Sequence, residues 1–236
     1  MILQDLQAAT FIRRYKRFLV DVARPDGSLL TVHCPNTGSM RGCLTPGNRV
    51  LLSVSGKPGR KYAHTLEMIE VDGVWVGVNT MRTNHLVREA LEAGLVNEVG
   101  RVDQIQAEVT VSSRSRLDFL VVKGGEKIYL EVKNCTLVEG GAALFPDAVT
   151  TRGTRHLHEL AELVAQGARA MVFFCVQRGD GRFFTPADHI DPLYGRTLRA
   201  VVAQGVEVAA YQARVTPAEI IITHALKVRL AVNGQE

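Results

Sequence analysis

Arg116-Leu117-Asp118-Phe119-Leu120-Val121-Val122, a turn at Lys123-Gly124-Gly125-Glu126, then Ile128-Tyr129-Leu130-Glu131-Val132-Lys133-Asn134 form the stretch whose reading decides the fold. Two apolar runs around a Gly-Gly turn predict a β-hairpin. Asp118 falls near the start of the first strand. Glu131 and Lys133 stand two apart on the second and therefore share a face. An acid between Leu130 and Val132 would be costly to bury unpaired. Two carboxylates and a backbone carbonyl, that of Val132, on neighbouring strands suit a hard cation such as Mg²⁺ or Mn²⁺. A lysine beside them suits orienting a water or offsetting the charge of a phosphate. The competing reading is an edge-strand salt bridge between Glu131 and Lys133, because Glu-x-Lys is common on solvated strands.

Working outward, strands and helices alternate. Residues 104–111 predict a strand before the hairpin. Residues 155–165 predict a helix, with Leu157, Leu160, Ala161 and Val164 at helical spacing and Gly167 beyond. A buried strand at 170–176, a helix at 193–203, and strands at 206–213 and 220–223 follow. Upstream, Thr83 or Asn84 is a candidate cap for a helix to Ala93, with Gly94 as its stop. This alternation predicts an α/β/α domain over residues 81–236.

Residues 1–80 read differently. A strand over 10–23 is followed by the turn Pro25-Asp26-Gly27 and a return at 28–33. A loop, Cys34-Pro35-Asn36-Thr37-Gly38-Ser39-Met40-Arg41-Gly42, leads to strands at 49–55, 62–71 and 74–78, the last two joined by Asp72-Gly73. Five strands closed by turns predict a small barrel of the oligonucleotide-binding type, with a β-sandwich as competitor. Phe18 and Val20 are expected to face its interior. The fold class is thus α/β, α+β overall, with a basic barrel ahead of the α/β/α domain.

Charge divides in the same place. The chain of 236 residues carries a net charge of +4. Residues 1–61 hold ten Lys or Arg against three acids, and the remainder holds 18 against 21. A basic module joined to a near-neutral one fits a polyanionic partner. Hydrophobic residues at 46% and charged residues at 22% exclude a disordered or collagen-like chain. No apolar run approaches the ~18 residues of a membrane span, and the start, Met1-Ile2-Leu3-Gln4-Asp5, lacks a basic leader. A cytoplasmic protein with no membrane partner and no obligate protein partner is the expectation. Cys34, Cys43, Cys135 and Cys175 show no metal-ligand spacing, so zinc is not expected.

Asp118 with Glu131-x-Lys133 is the pattern of the restriction-endonuclease-like, PD-(D/E)xK, phosphodiesterases. The chain also resembles the sugar fermentation stimulation protein A family of bacteria and archaea over nearly its whole length. The resemblance is carried by residues 11–18 (FIRRYKRF), 33–40 (HCPNTGSM), 78–80 with Asn84, 115–119 (SRLDF), 129–134 (YLEVKN), 145–150 (FPDAVT) and 151–157 (TRGTRHL). It implies an oligonucleotide-binding barrel, a nuclease-like second domain, non-specific DNA binding and a regulatory role in sugar (maltose) utilisation. The family usually places Lys where Arg155 stands here. That keeps the charge and alters the geometry.

Several site residues follow. Asp118, Glu131 and Lys133 are the candidate catalytic set, with Asp118, Glu131 and Glu89 as candidate metal ligands. Glu89 lies on the first helix, where such folds often add a carboxylate, though its helical angle also suits a solvated residue. Arg13, Arg14, Lys16, Arg17 and Arg41 on the barrel, and Arg152, Arg155 and His156 at the start of the second helix, are candidate nucleic-acid contacts. Ordinary surface charge is the alternative for the helix residues, and His156 also reads as a metal-site neighbour or a structural histidine. The barrel bases interleave with Phe11, Tyr15 and Phe18, a mixture suited to phosphate contact with base stacking. Residues 36–39 offer free amides for a phosphate, with a structural loop closing the barrel as an equal reading. Asp147 reads as a turn cap, with contact to the site as the alternative. The partner expected is DNA, with RNA open. Binding without catalysis is the alternative function. A sugar-binding role has only Trp75 and the family's name behind it.

Overall fold

The structure, a computed structural model, describes residues 1–112 and 115–231. Its first domain is built from β1 (Gln7–Tyr15), β2 (Leu19–Ala23), β3 (Leu29–His33), β4 (Arg49–Val54), β5 (His64–Val71) and β6 (Val74–Gly77). Strand β2 pairs with β1 and β3, β1 with β4, and β4 with β5. The pair His33 and Thr65 joins β3 to β5 and closes the ring, while β6 hangs on β5. A closed five-stranded ring in the order β1-β2-β3-β5-β4 is the oligonucleotide-binding barrel, and closure disposes of the sandwich. Phe11, Val20, Val22, Val32, Leu52 and Leu66 fill it.

One expected strand is in fact two. Lys16 and Arg17 both adopt left-handed backbone, φ 49° and 63°, and turn β1 into β2. Neither Gly nor Asn announces this hairpin, the usual residues for such a turn. The turn also resets the alternation, so Phe18 is 45% exposed rather than interior, while Val20 is buried.

A short 3-10 turn, Thr80–Arg82, leads into the second domain. There α1 (Thr83–Glu92) precedes β7 (Gln104–Ser112), β8 (Ser115–Lys123), β9 (Glu126–Cys135), β10 (Leu137–Glu139) and β11 (Ala142–Phe145). Next come α2 (Thr151–Ala165), β12 (Arg169–Val176), β13 (Phe183–Pro186), α3 (Pro192–Ala203), β14 (Glu207–Val215), β15 (Ile220–Ala225) and β16 (Lys227–Val228). The main sheet runs β15-β14-β12-β9-β8-β7, parallel across β9-β12-β14 and antiparallel at both flanks. Leu86, Val87, Ala90 and Leu91 of α1 pack on one face with Phe119, Leu130 and Phe173. Leu157 and Leu160 of α2 and Leu198 and Val201 of α3 pack on the other with Val172 and Phe174. The α/β/α sandwich is thus as expected. A four-stranded sheet, β10-β11-β13-β16, was not legible, because its strands are two to four residues long and, beyond the β10–β11 hairpin, pair non-locally. Helix α2 starts at Thr151, earlier than its apolar spacing suggests, because the Thr150 side chain accepts from Gly153 N and caps it.

The two domains are fastened at several points. Asp147 Oδ2 accepts from Met40 N at 2.7 Å, and Ser39 Oγ donates to the Asp147 carbonyl at 2.6 Å. Gly77 N donates to the Gln177 carbonyl at 2.9 Å. A Cβ on Gly77 would meet the buried Gln177 side chain, which would have to shift to admit it. The first residues of the chain lie on the second domain: Leu3 N donates to Ala218 O and Ile220 N to Met1 O. Among the described residues no helix is long and apolar enough to cross a membrane. All four cysteines are buried free thiols.

Candidate functional site

The β8–β9 ladder stops at the pair Phe119 and Leu130. The next opposed positions are Asp118 and Glu131, where the strands part. Val132 N–H then has no ladder partner and donates instead to Asp118 Oδ2 at 2.7 Å. In an extended strand the N–H and C=O of one residue point the same way, so the Val132 carbonyl also faces this gap. Asn84, at the start of α1, donates to Asp118 Oδ1 at 2.8 Å. From the opposite layer, His156 of α2 bonds Glu131 Oε1, and Lys133 Nζ reaches the same oxygen at 2.6 Å. The two carboxylates are therefore steered into the gap by helices on opposite faces of the sheet.

Their electrostatics differ. Burial, then the charge of Glu131, pushes the Asp118 carboxyl up to about 6, against the opposing bonds from Val132 and Asn84. Burial acts the same way on Glu131. There the bonds and charges of His156 and Lys133 outweigh it, and the group sits below its ordinary value. Two carboxylates that repel, one of them buried against its preference, suit a hard cation. Among the described residues no three Asp, Glu, His or Cys side chains converge as a ready-made metal cluster. A cation held here would rest on Asp118, Glu131 and the Val132 carbonyl, with water completing its oxygen shell.

Glu89 does not join this set. Its carboxylate is half exposed and bonds the Met1 ammonium at 2.7 Å. At about 100° per residue, it stands about 140° around the helix from Asn84. What α1 presents to Asp118 is thus an amide, not a third acid. Asn84 was legible as a cap and as one of the residues carrying the family resemblance, yet no side chain caps α1.

The acids and Lys133 line a cleft of about 400 Å³ with Asn84, Arg152 and Thr83. A second lobe of about 490 Å³ is lined by Arg14, Arg17, Ser39, Asp147 and Thr150. Both lobes share Asn36, Thr37, Gly38, Thr80 and Asn134. They form one groove between the barrel and the second domain, with the 36–39 loop as its waist. That loop, which reads equally as a phosphate cradle and as a structural closure of the barrel, lines the groove, and its Gly38 amide is taken by Asn36 Oδ1 at 2.8 Å. Asp147, read as a turn cap, caps across the domain boundary.

The expected basic contacts separate into two groups. Lys16 and Arg17 are exposed at the β1–β2 tip, and Arg17 and Arg152 line the groove. Arg14 is committed elsewhere. Its guanidinium donates to the carbonyls of Arg17, Ser39 and Asn36, which fixes the loop. Arg13 pairs with Asp21 at 2.8 Å and stays largely exposed. Arg41 and Arg155 are exposed, lie near Glu139 and Glu159, and line neither lobe. His156 is 3% exposed, so it braces Glu131 rather than meeting a nucleic acid, and Arg152 Nε reaches its other ring nitrogen at 3.3 Å.

Comparison with known proteins covers both domains. Residues 12–78 match the family model described as the SfsA N-terminal OB domain, and residues 81–219 match the sugar fermentation stimulation protein RE domain. A sugar fermentation stimulation protein homolog of Pelobacter propionicus is 55% identical, covering 98% of this chain and 100% of its own. One from Geobacter sulfurreducens is 54% identical over 95% and 97%. The structure of Pyrococcus furiosus SfsA, in complex with Ca²⁺, superposes with a TM-score of 0.88 at 29% identity, covering 97% of this chain and 98% of that one.

Proposed function

The chain belongs to the sugar fermentation stimulation protein family, and from that premise we propose that it is a cytoplasmic, non-specific DNA-binding protein whose second domain carries a Mg²⁺-dependent phosphodiesterase site. The observation that carries the reading is the parting of β8 and β9, which puts Asp118, Glu131 and Lys133 on one cleft. Asp118, Glu131 and the Val132 carbonyl would hold Mg²⁺ or Mn²⁺. The Ca²⁺ complex of the Pyrococcus furiosus relative supports a divalent ion. When bound, such an ion supplies Lewis-acid polarisation of a phosphate and a water of lowered pKa.

The chain's own residues do the rest. Lys133, held by Glu131, orients the attacking water and offsets the phosphate charge. His156 fixes the Glu131 carboxylate by bonding one oxygen. Arg152, lining the same cleft, holds a phosphate of the strand. Lys16 and Arg17 give sequence-independent attraction that falls steeply with salt.

A second reading has its own observation. Asp118 takes bonds from Val132 and Asn84, and Glu131 Oε1 from Lys133 and His156. Bonds of this kind also serve a purely structural role, which favours a DNA-binding regulator of sugar (maltose) metabolism on a nuclease-like fold. The test incubates labelled single- and double-stranded DNA with Mg²⁺, Mn²⁺ or EDTA, beside Glu131→Ala and Asp118→Ala. Metal-dependent cutting lost in both variants supports the nuclease. Binding without cutting in every metal supports the regulator, and no binding at all removes both.

A further inference from the structure

The groove also bears on which nucleic acid it takes, a question that rests on the DNA-binding reading above. We propose that it accepts one unpaired strand, which passes over the Lys16-Arg17-Phe18 tip, crosses the waist at Thr37 and Gly38, and reaches Asp118, Glu131 and Lys133 at the inner end.

Size is the first reason. Lobes of about 400 and 490 Å³ are the size of pockets for small ligands. They suit a few nucleotides laid in a row along the shared lining. Rigidity is the second. The waist loop is held by two Arg14 bonds, to the Asn36 and Ser39 carbonyls, on one side and by Asp147 on the other. Thr80 Oγ1 adds a bond to the Pro35 carbonyl at 3.1 Å. Widening the groove for a second strand would break the bonds that join the domains.

The lining is the third reason. Thr37, Gly38, Thr80 and Asn134 are small and polar, and they leave room for a backbone without offering a base-reading array. A Cβ on Gly38 would already lie 3.0 Å from Asn36 Oδ1 and 3.3 Å from Asp147 Oδ1. Cations stand at both ends, Arg17 in the outer lobe and Arg152 in the inner. Next to Arg17, Phe18 exposes nearly half its surface at a hairpin tip. An exposed aromatic beside cations is what stacks an unpaired base. A paired base shows no free face to it.

The test measures binding of a fluorescent 20-mer, single-stranded or annealed to its complement, by anisotropy in EDTA so that cleavage plays no part. Single-strand binding is expected to be at least about ten-fold tighter than duplex binding. Phe18→Ala should weaken single-strand binding by about five-fold or more. Thr37→Glu, at an exposed residue of the waist, should weaken it at least about five times more than Leu29→Glu. Leu29→Glu is the control, because it makes an equal charge change at an exposed barrel position that lines neither lobe. Duplex binding equal to or tighter than single-strand binding would overturn this proposal and leave the DNA-binding reading intact. So would equal effects of Thr37→Glu and Leu29→Glu. Failure to bind either form would overturn both.

Discussion

His156 Nδ1 and Lys133 Nζ bond the same oxygen of Glu131, Oε1, and lie 3.4 Å from each other. Among the described residues neither bond falls on Oε2, so that oxygen is left to the cleft that Glu131 lines. Two donors on one oxygen fix the carboxylate plane and decide which of its oxygens serves a ligand. His156 is thus a positioning residue.

His156→Ala removes a buried partner of a buried carboxylate. A loss of roughly 1–3 kcal/mol of stability in metal-free protein is expected, read by urea unfolding. Metal-dependent cutting should fall with it, and His156→Gln, which restores a donor, should recover part of both. Unchanged stability and cutting in His156→Ala would remove the positioning role.

Asp118 gives stability a pH slope. Its carboxyl titrates near 6 in the folded protein and near its ordinary value, 3.8, when unfolded. Between those values the folded state holds the extra proton, so stability is highest below about pH 4 for this group and declines as pH rises to about 6. The loss is on the order of 2–3 kcal/mol. Asp118→Asn should abolish that slope in denaturation curves at pH 5 and 7.5 in EDTA. In the parent protein Mg²⁺ should raise Tm more at pH 7.5 than at pH 5.

Arg14 and Lys16 should behave in opposite ways. Arg14→Ala frees the Asn36 and Ser39 carbonyls and should cost about 1–3 kcal/mol while loosening the waist loop. Lys16→Ala should leave stability unchanged and lower the slope of log affinity against log salt by about 1. Parallel melting curves and salt titrations would show whether the two residues separate this way.

Glu67 anchors the barrel to the second domain's first turn. It is 1% exposed and receives Ser53 Oγ at 2.6 Å, Asn79 Nδ2 at 2.8 Å and two Arg82 nitrogens at 3.1 and 3.3 Å. Glu67→Ala strands these donors and should cost roughly 3 kcal/mol, visible as a lowered urea midpoint.

That Asp118, Glu131 and Lys133 come together on one cleft was legible because strand periodicity assigns faces and the Gly-Gly turn fixes the hairpin. The α/β/α layers were legible because helical spacing and buried runs alternate. Sequence names a base but not its partner. Arg14 and His156 look like surface charge, yet one is spent on carbonyls and the other is sealed beneath Arg152. Glu89, whose helical angle already suits a solvated residue, is half exposed against the Met1 ammonium. Phe18 was turned outward by Lys16 and Arg17, which adopt left-handed backbone without the residues that announce it. The groove itself was illegible, since it arises from Asp147 meeting Met40 across more than a hundred residues.

The pairing of Met1 and Leu3 beside Ala218 and Ile220 makes the barrel a guest rather than a prefix. Both of its ends return to the same host, one through the edge strand β15 and the other through α1. A chain cut to residues 81–236 would shed a border of that host as well as the barrel. It would uncover Ile220 and release Glu89 from its ammonium partner. The two halves are therefore joined at this seam by backbone as well as by the groove, and a swap of barrels between relatives should carry residues 1–3 with the host.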